Sequence, residues 1–338
     1  MASRLLLTLA IGLAGGGAFA AAGVPLAWVL GAMVATITAA LGGARLAVPP
    51  GLRAAMIVVL GILLGSSFTP DIAEHVARWW RSLLGLAGFM LTAGGLGTLL
   101  LRRVAGYDPV TAYFTAMPGG LSEMVAMGAA HGGQERIIAL SHGLRIVFAV
   151  LSVPLWFRLV EGYVAPERPL MAVEAAGGWD WLLLAACALG APLGRRLGLP
   201  AAALVGPLVL SAGLHLAGWV AVKPPDLLIA AAQVVIGSSI GAGFTGSRPR
   251  ELLRIARYAL LLSASSLGSA VLFAWAVAGW SGLDTRTLVL AYAPGGLAEM
   301  SLVALALSLD AAFVATHHLV RVLAVVLAAP AVFRALRR

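Results

Sequence analysis

Long uncharged runs, separated by single or paired arginines, set the pattern of this chain. They cover 5–44, 54–70, 82–101, 109–122 and 146–157, and after a polar stretch 181–194, 197–222 (broken only by His215), 227–247, 258–283, 287–298 and 322–333. A spanning helix needs about 20 apolar residues, so the pattern predicts an all-α polytopic membrane protein. The first run is long enough for a helical hairpin turning near Gly23-Val24-Pro25. Met1 to Ala20 imitates a signal peptide, with Arg4, an apolar stretch and Ala18-Phe19-Ala20 as a small-residue site.

The chain also repeats itself. Sliding it so that Gly61 falls on Gly237 sets Gly65 on Gly241, Phe68-Thr69 on Phe244-Thr245 and Asp108 on Asp284. Pro118-Gly119-Gly120-Leu121-x-Glu123-Met124 then meets Pro294-Gly295-Gly296-Leu297-x-Glu299-Met300. His142 meets His318, Arg145 meets Arg321 and Pro154-x-x-Phe157-Arg158 meets Pro330-x-x-Phe333-Arg334. With a one-residue slip, Gly23-x-Pro25 and Gly31 match Gly198-x-Pro200 and Gly206, so the first segment is a repeat element and is expected to be retained rather than cleaved. The expected organisation is membrane repeat 1 over 1–160, a polar linker over 161–180 and membrane repeat 2 over 181–338.

Composition narrows the classes. Of 338 residues, 61% are hydrophobic and 11% charged, against about 25% charged in soluble domains. Little chain remains for an aqueous catalytic or DNA-binding module. Forty-one Gly and 17 Pro argue for closely packed and interrupted helices. The net charge of +9 does not indicate nucleic acid, because the arginines are scattered between apolar runs and assemble no basic face. The single cysteine, Cys187, excludes an intramolecular disulfide.

Loop arginines orient membrane spans. If every segment crosses, the repeats are parallel and the arginines show no bias. If the Pro-Gly-Gly segment of each repeat enters and returns on one side, the repeats are inverted. Arg4, Arg45, Arg53, Arg102, Arg103, Arg136, Arg195, Arg196, Arg248, Arg250, Arg254, Arg257, Arg334, Arg337 and Arg338 then share a side. The expectation is two inverted repeats with about 10 transmembrane helices plus broken or re-entrant Pro-Gly-Gly segments. Both termini are cytoplasmic on this reading, and the linker with Glu161, Glu167, Glu174 and Asp180 is periplasmic.

The candidate chemistry lies in the matched motifs. Pro118, Gly119, Gly120, Ser122 and Glu123, and Pro294, Gly295, Gly296 and Glu299, place a helix breaker, two permissive glycines and a carboxylate in apolar surroundings. Paired discontinuous segments point to a midplane binding site in secondary transporters; a tight turn capped by the glutamate is the bland alternative. His142 and Arg145, and His318 and Arg321, share one helix face at i and i+3. So deep an arginine must be paired or line water. An ion pair with a glutamate of either repeat and an anion site are weighed evenly. The histidines could shuttle protons or only pack. Tyr292, standing where repeat 1 has Ala116, is a candidate substrate or gate contact, with aromatic packing as the alternative; Ser141 is matched by His317. No metal site and no cofactor are expected, since His75, His131 and His215 lack ligand-like spacing and the adjacent His317 and His318 point to different faces.

Together, Gly-x-Pro with Gly31 and Gly206, Gly61 to Thr69 with its copy, the two Pro-Gly-Gly-Leu-x-Glu-Met motifs and the two arginine-bearing last helices resemble the duplicated AbrB-type membrane family over nearly the whole chain. Members carry labels naming an ammonia monooxygenase or an AbrB regulator, and the family is grouped by fold with inverted-repeat secondary transporters. The resemblance implies a protein of the bacterial inner membrane. The expected function is transport of a small solute, an organic anion by the arginines, coupled to protons or cations by Glu123 and Glu299. A non-transporting membrane sensor or regulator is the alternative class, and a membrane monooxygenase a third. The expected partners are the lipid bilayer and an unidentified small solute, with no nucleic acid, no enzymatic role, and a homo-oligomer left open.

Overall fold

A computed structural model describes residues 2–72, 76–159, 162 and 177–336, and these form helices and no strands. Most of the linker expected over 161–180 lies outside the described residues. The first half folds as α1 (Ala2–Ala21), α2 (Ala27–Leu41), α3 (Pro50–Gly65), α4 (Trp80–Arg103), α5 (Pro109–Ala116), α6 (Leu121–Ala130) and α7 (Glu135–Leu159). The second half folds as α8 (Gly178–Ala186), α9 (Gly190–Arg196), α10 (Ala202–Leu216), α11 (Asp226–Ala242), α12 (Pro249–Ser281), α13 (Thr285–Tyr292), α14 (Leu297–Ala306) and α15 (Ala311–Leu336). In α1, α4, α7, α12 and α15, five helices are long and apolar enough to cross a membrane. The helices α2, α3, α10 and α11, of 15 to 17 residues, rise about 22–26 Å at 1.5 Å per residue, somewhat short of a hydrocarbon core of about 30 Å.

The chain divides into two compact units, each drawing on both halves of the sequence: Met1–Glu74, Leu151–Arg248 and Ser301–Ala312 in one, His75–Val150, Pro249–Met300 and Phe313–Arg338 in the other.

In the first unit, helices meet through glycine. A Cβ on Gly31 of α2 would strike the carbonyl of Gly15 on α1, and Gly190 and Gly206 stand in the same relation between α9 and α10. Both hairpins turn through a left-handed glycine, Gly23 at φ 64° and Gly198 at φ 68°, and enter the next helix from a left-handed residue, Leu26 and Ala201. With side chains reduced to hydrogen, backbones approach closely enough for dispersion to hold them without any hydrophobic drive. On α3, Gly61 faces the Leu204 carbonyl and Pro207 of α10, while Gly65 faces Leu208 and Ser211. Ser211 Oγ donates to the Ile62 carbonyl at 2.8 Å. Residue numbers rise together along both helices, so α3 and α10 run parallel. The same holds for α11 on α2, where Gly237 meets Val29 and Met33, and Gly241 meets Thr36 and Ile37.

In the second unit, α4 and α12 run antiparallel: Gly85 meets Val277, Gly88 meets Phe273 and Gly97 meets Leu262. The two eight-residue helices of this unit start at matched caps. Asp108 accepts from the amides of Val110 and Thr111 at 3.0 and 2.9 Å, and Asp284 accepts from the Thr287 amide at 2.9 Å and its hydroxyl at 2.8 Å. Such caps fix where a helix begins by satisfying its orphan donors. Large apolar side chains on both units, such as Leu6, Leu189, Leu91 and Leu272, stay exposed, the surface that a lipid solvent accepts and water does not.

Candidate functional site

Both Pro-Gly-Gly segments, Arg145 and Arg321 lie in the second unit. Helix α5 stops at Ala116, the backbone passes through Met117-Pro118-Gly119-Gly120, and α6 restarts at Leu121; α13 and α14 are broken at the matched positions. Each residue of the motif has a visible task. A Cβ on Gly119 would collide with Met124 and Val325, and one on Gly295 with Met300, so the first glycine makes room for the methionine five residues on. A Cβ on Gly120 or Gly296 would fall on the carboxylate of Glu123 or Glu299, which folds back over the second glycine. Each glutamate is thus a first-turn acid at the start of a ten-residue helix, where the positive end of the peptide dipoles favours it.

The arginines close the other ends of the breaks. Arg145, 5% exposed, donates through Nη1 to the carbonyls of Thr115, Ala116 and Met117 at 3.2–3.4 Å. Arg321, 2% exposed, donates to the Ala293 carbonyl at 2.8 Å and to that of Gly295. These are the last carbonyls of α5 and α13 and the turn beyond, the acceptors that a helix leaves unsatisfied and the negative end of its dipole. Among the described residues neither guanidinium is paired with a carboxylate. Of the two alternatives weighed for the arginines, the contacts are not those of the glutamate ion pair: the compensating charge is supplied by backbone dipoles.

The histidines are committed to the same task. Arg145 Nη2 donates to His142 Nδ1 at 2.8 Å, so that nitrogen is an acceptor and the ring proton sits on Nε2, which donates to the Phe114 carbonyl at 2.9 Å. His318 repeats this between Arg321 at 2.8 Å and the Leu290 carbonyl at 3.0 Å. A second ring proton would break the arginine bond and set two cations side by side. The histidines therefore position the arginines, and the proton-shuttle alternative finds no free nitrogen.

Tyr292 sits in the packing between helices. It is fully buried, stacks on Phe89 at 5.9 Å and donates its hydroxyl to the Ser82 carbonyl at 2.7 Å. Ser82 Oγ lies 2.8 Å from His317 Nε2, so the polar group standing where repeat 1 has Ser141 also belongs to packing between α4 and α15. Of the two roles weighed for Tyr292, these contacts are those of the packing role. Tyr292→Phe should lower thermal stability by about 1 kcal/mol, the usual worth of one such bond, with solute binding unchanged; weaker binding at unchanged stability would return the hydroxyl to the substrate.

What stays accessible at the breaks is the glutamates, the four glycines and Ser122; Pro118, Pro294, the arginines and the histidines are sealed. Two polar atoms beside the breaks, Thr115 Oγ1 and Arg321 Nε, are buried without a hydrogen-bond partner. Sequence reasoning missed Thr115, whose hydroxyl carries no spacing signal, and Asp108 and Asp284 as caps, for which the matched Asp-x-x-Thr was a usable one. Among the described residues no three His, Cys, Asp or Glu side chains gather as a metal-ligand set would.

The family described as Transition state regulatory protein AbrB matches residues 28–337. The chain belongs to the AbrB family. Two curated relatives match most of this AbrB-family chain. "Putative regulator AbrB" of Escherichia coli (strain K12) is 27% identical over 318 residues, covering 94% of this chain and 91% of that protein. "Uncharacterized protein YhjN" of Bacillus subtilis (strain 168) is 26% identical over 355 residues, covering 97% and 92%.

Proposed function

We propose that this AbrB-family chain is a secondary transporter of a small solute in the bacterial inner membrane, coupled to protons or cations through Glu123 and Glu299, and that it performs no covalent chemistry. One observation carries the reading: two helices of one unit are broken at matched positions, and at each break the accessible charged group is a carboxylate on a helix start. Broken helices facing a substrate are how transporters expose backbone polar groups inside a membrane. The organic anion expected from the arginines loses its basis, since both guanidinium groups are sealed and spent on carbonyls. A proton or a small cation suits the accessible carboxylates better.

The helix directions support inverted repeats. Parallel packing of α3 on α10 requires an even number of turns of direction between them, which fails if the Pro-Gly-Gly segment crosses and holds if it returns. On that count each repeat crosses five times, α8 and α9 together making one crossing, and both termini lie with the arginine-rich loops in the cytoplasm. The relative's name and the family description favour a second reading, a membrane regulator in which the breaks are rigid.

Proteoliposomes loaded with a pH-sensitive dye separate the two. Transport predicts solute-dependent proton movement across a panel of amines and carboxylates, and Glu123→Gln or Glu299→Gln should reduce it at least tenfold, about 1.4 kcal/mol or more in barrier, with the fold intact. Flux that both variants leave unchanged would remove the glutamates from coupling, and no flux with any solute would favour the regulator.

A further inference from the structure

We propose that a trough on the second unit holds one acyl chain of an anionic phospholipid, with the lipid phosphate at Arg102. The trough is a cavity of about 440 Å³ between one stripe of α4, from Met90 to Arg102, and one of α15, from Ala324 to Val332; Tyr113, Met117 and Pro118 close its floor. Apart from Arg102, Thr98 and the Tyr113 hydroxyl, which is spent on the Ala329 carbonyl, its side chains are apolar. Its rim is open to the surroundings, with Leu91 75% exposed and Leu99 and Val332 also exposed.

Three observations select the occupant. The α4 stripe rises about 18 Å at 1.5 Å per residue, close to one leaflet's share, about 15 Å, of the hydrocarbon core. The cation stands at one end only, in the last turn of α4, where a lipid headgroup would meet it, and among the described residues no carboxylate pairs with it. Basic groups between helices at the membrane surface recognise anionic headgroups. The third is Gly95. Its neighbour Gly94 is required by packing, since a Cβ there would strike Met117, whereas a Cβ on Gly95 meets no atom within 4 Å. Glycine weakens a helix interior, and no protein neighbour accounts for it here; an acyl chain lying against that wall does. The chain end would rest on Met117, whose carbonyl accepts from Arg145, so the lipid would touch the first break.

Native mass spectrometry of the purified full chain, offered dioleoyl phosphatidylglycerol or dioleoyl phosphatidylcholine at equal concentration, tests this. The unmodified protein should retain one phosphatidylglycerol with at least tenfold preference. Gly95→Leu, whose Cβ meets no atom within 4 Å, should fill the trough and abolish that bound lipid; Ala328→Leu, from the opposite wall, should do the same. Arg102→Gln should keep an occupant but bind the two lipids alike. Equal binding of both lipids by the unmodified protein, or retention of the preference in both trough-filling variants, overturns the proposal. So does a dimer that Gly95→Leu turns into monomer, because a second copy would then be the occupant.

Discussion

Replacing Arg321 by Gln should unfold the ligand-free protein at a markedly lower temperature, with a loss of about 3–5 kcal/mol, the scale seen when one partner of a buried charged interaction is removed. Arg321 donates to two carbonyls and to His318 Nδ1. Hydrogen bonds to a charged group are each worth about 1.5–3 kcal/mol, and a buried acceptor left bare costs about 1–3 kcal/mol. Against this stands relief of the cost of burying a guanidinium, a few kcal/mol, so the losses exceed the gain. Arg145→Gln should cost about half as much, because its carbonyl contacts are longer, 3.2–3.4 Å against 2.8 Å. Arg321→Lys should not rescue, since a point charge on a flexible stem cannot hold a carbonyl and an imidazole in one plane as the guanidinium fork does. Thermal unfolding in detergent without any solute is the measurement. A substrate-binding arginine would give the reverse: unchanged or raised stability on removal of an unsatisfied buried charge, and an effect only when solute is added.

The arginines also mark the boundary of what the sequence could convey. Their depth, their repetition and their i, i+3 histidines were legible, because they depend on residue type and spacing. The breaks were legible too, since Pro-Gly-Gly has few other uses inside an apolar run. What Arg145 and Arg321 hold was not, because their acceptors are main-chain carbonyls that every residue carries. The ion-pair alternative set the glutamates against the arginines, although each had a helix end of opposite sign beside it. The partner of Tyr292 was hidden for the same reason: it is the carbonyl of Ser82, remote in sequence. The contacts of Gly61, Gly65, Gly237 and Gly241 were hidden differently. Their recurrence was plain, but a small-residue face has no complementary code that names the helix it meets.

Those glycine contacts carry the largest all-or-none expectation. On a Cys187→Ala background, which removes the buried free thiol, single cysteines at Ser67 and Ala221 should react with an impermeant maleimide from one side of the membrane, and cysteines at Ala44 and Ser247 from the other. Ser67 follows α3 and Ala221 follows α10; these helices run parallel, and both residues line one cavity of the first unit. Ala44 follows α2 and Ser247 follows α11, the second parallel pair. Repeats in the same orientation would divide the four differently, with Ser67 beside Ser247 and Ala44 beside Ala221, because equivalent residues would then face the same compartment. The assay separates the two arrangements without knowledge of the solute, and it bears directly on the breaks. With Ser67 and Ala221 on one side, an odd number of segments between α3 and α10 turns back without crossing. The pair α5 and α6, each far shorter than a span and joined through Pro118-Gly119-Gly120, is the segment whose backbone is already built to do so.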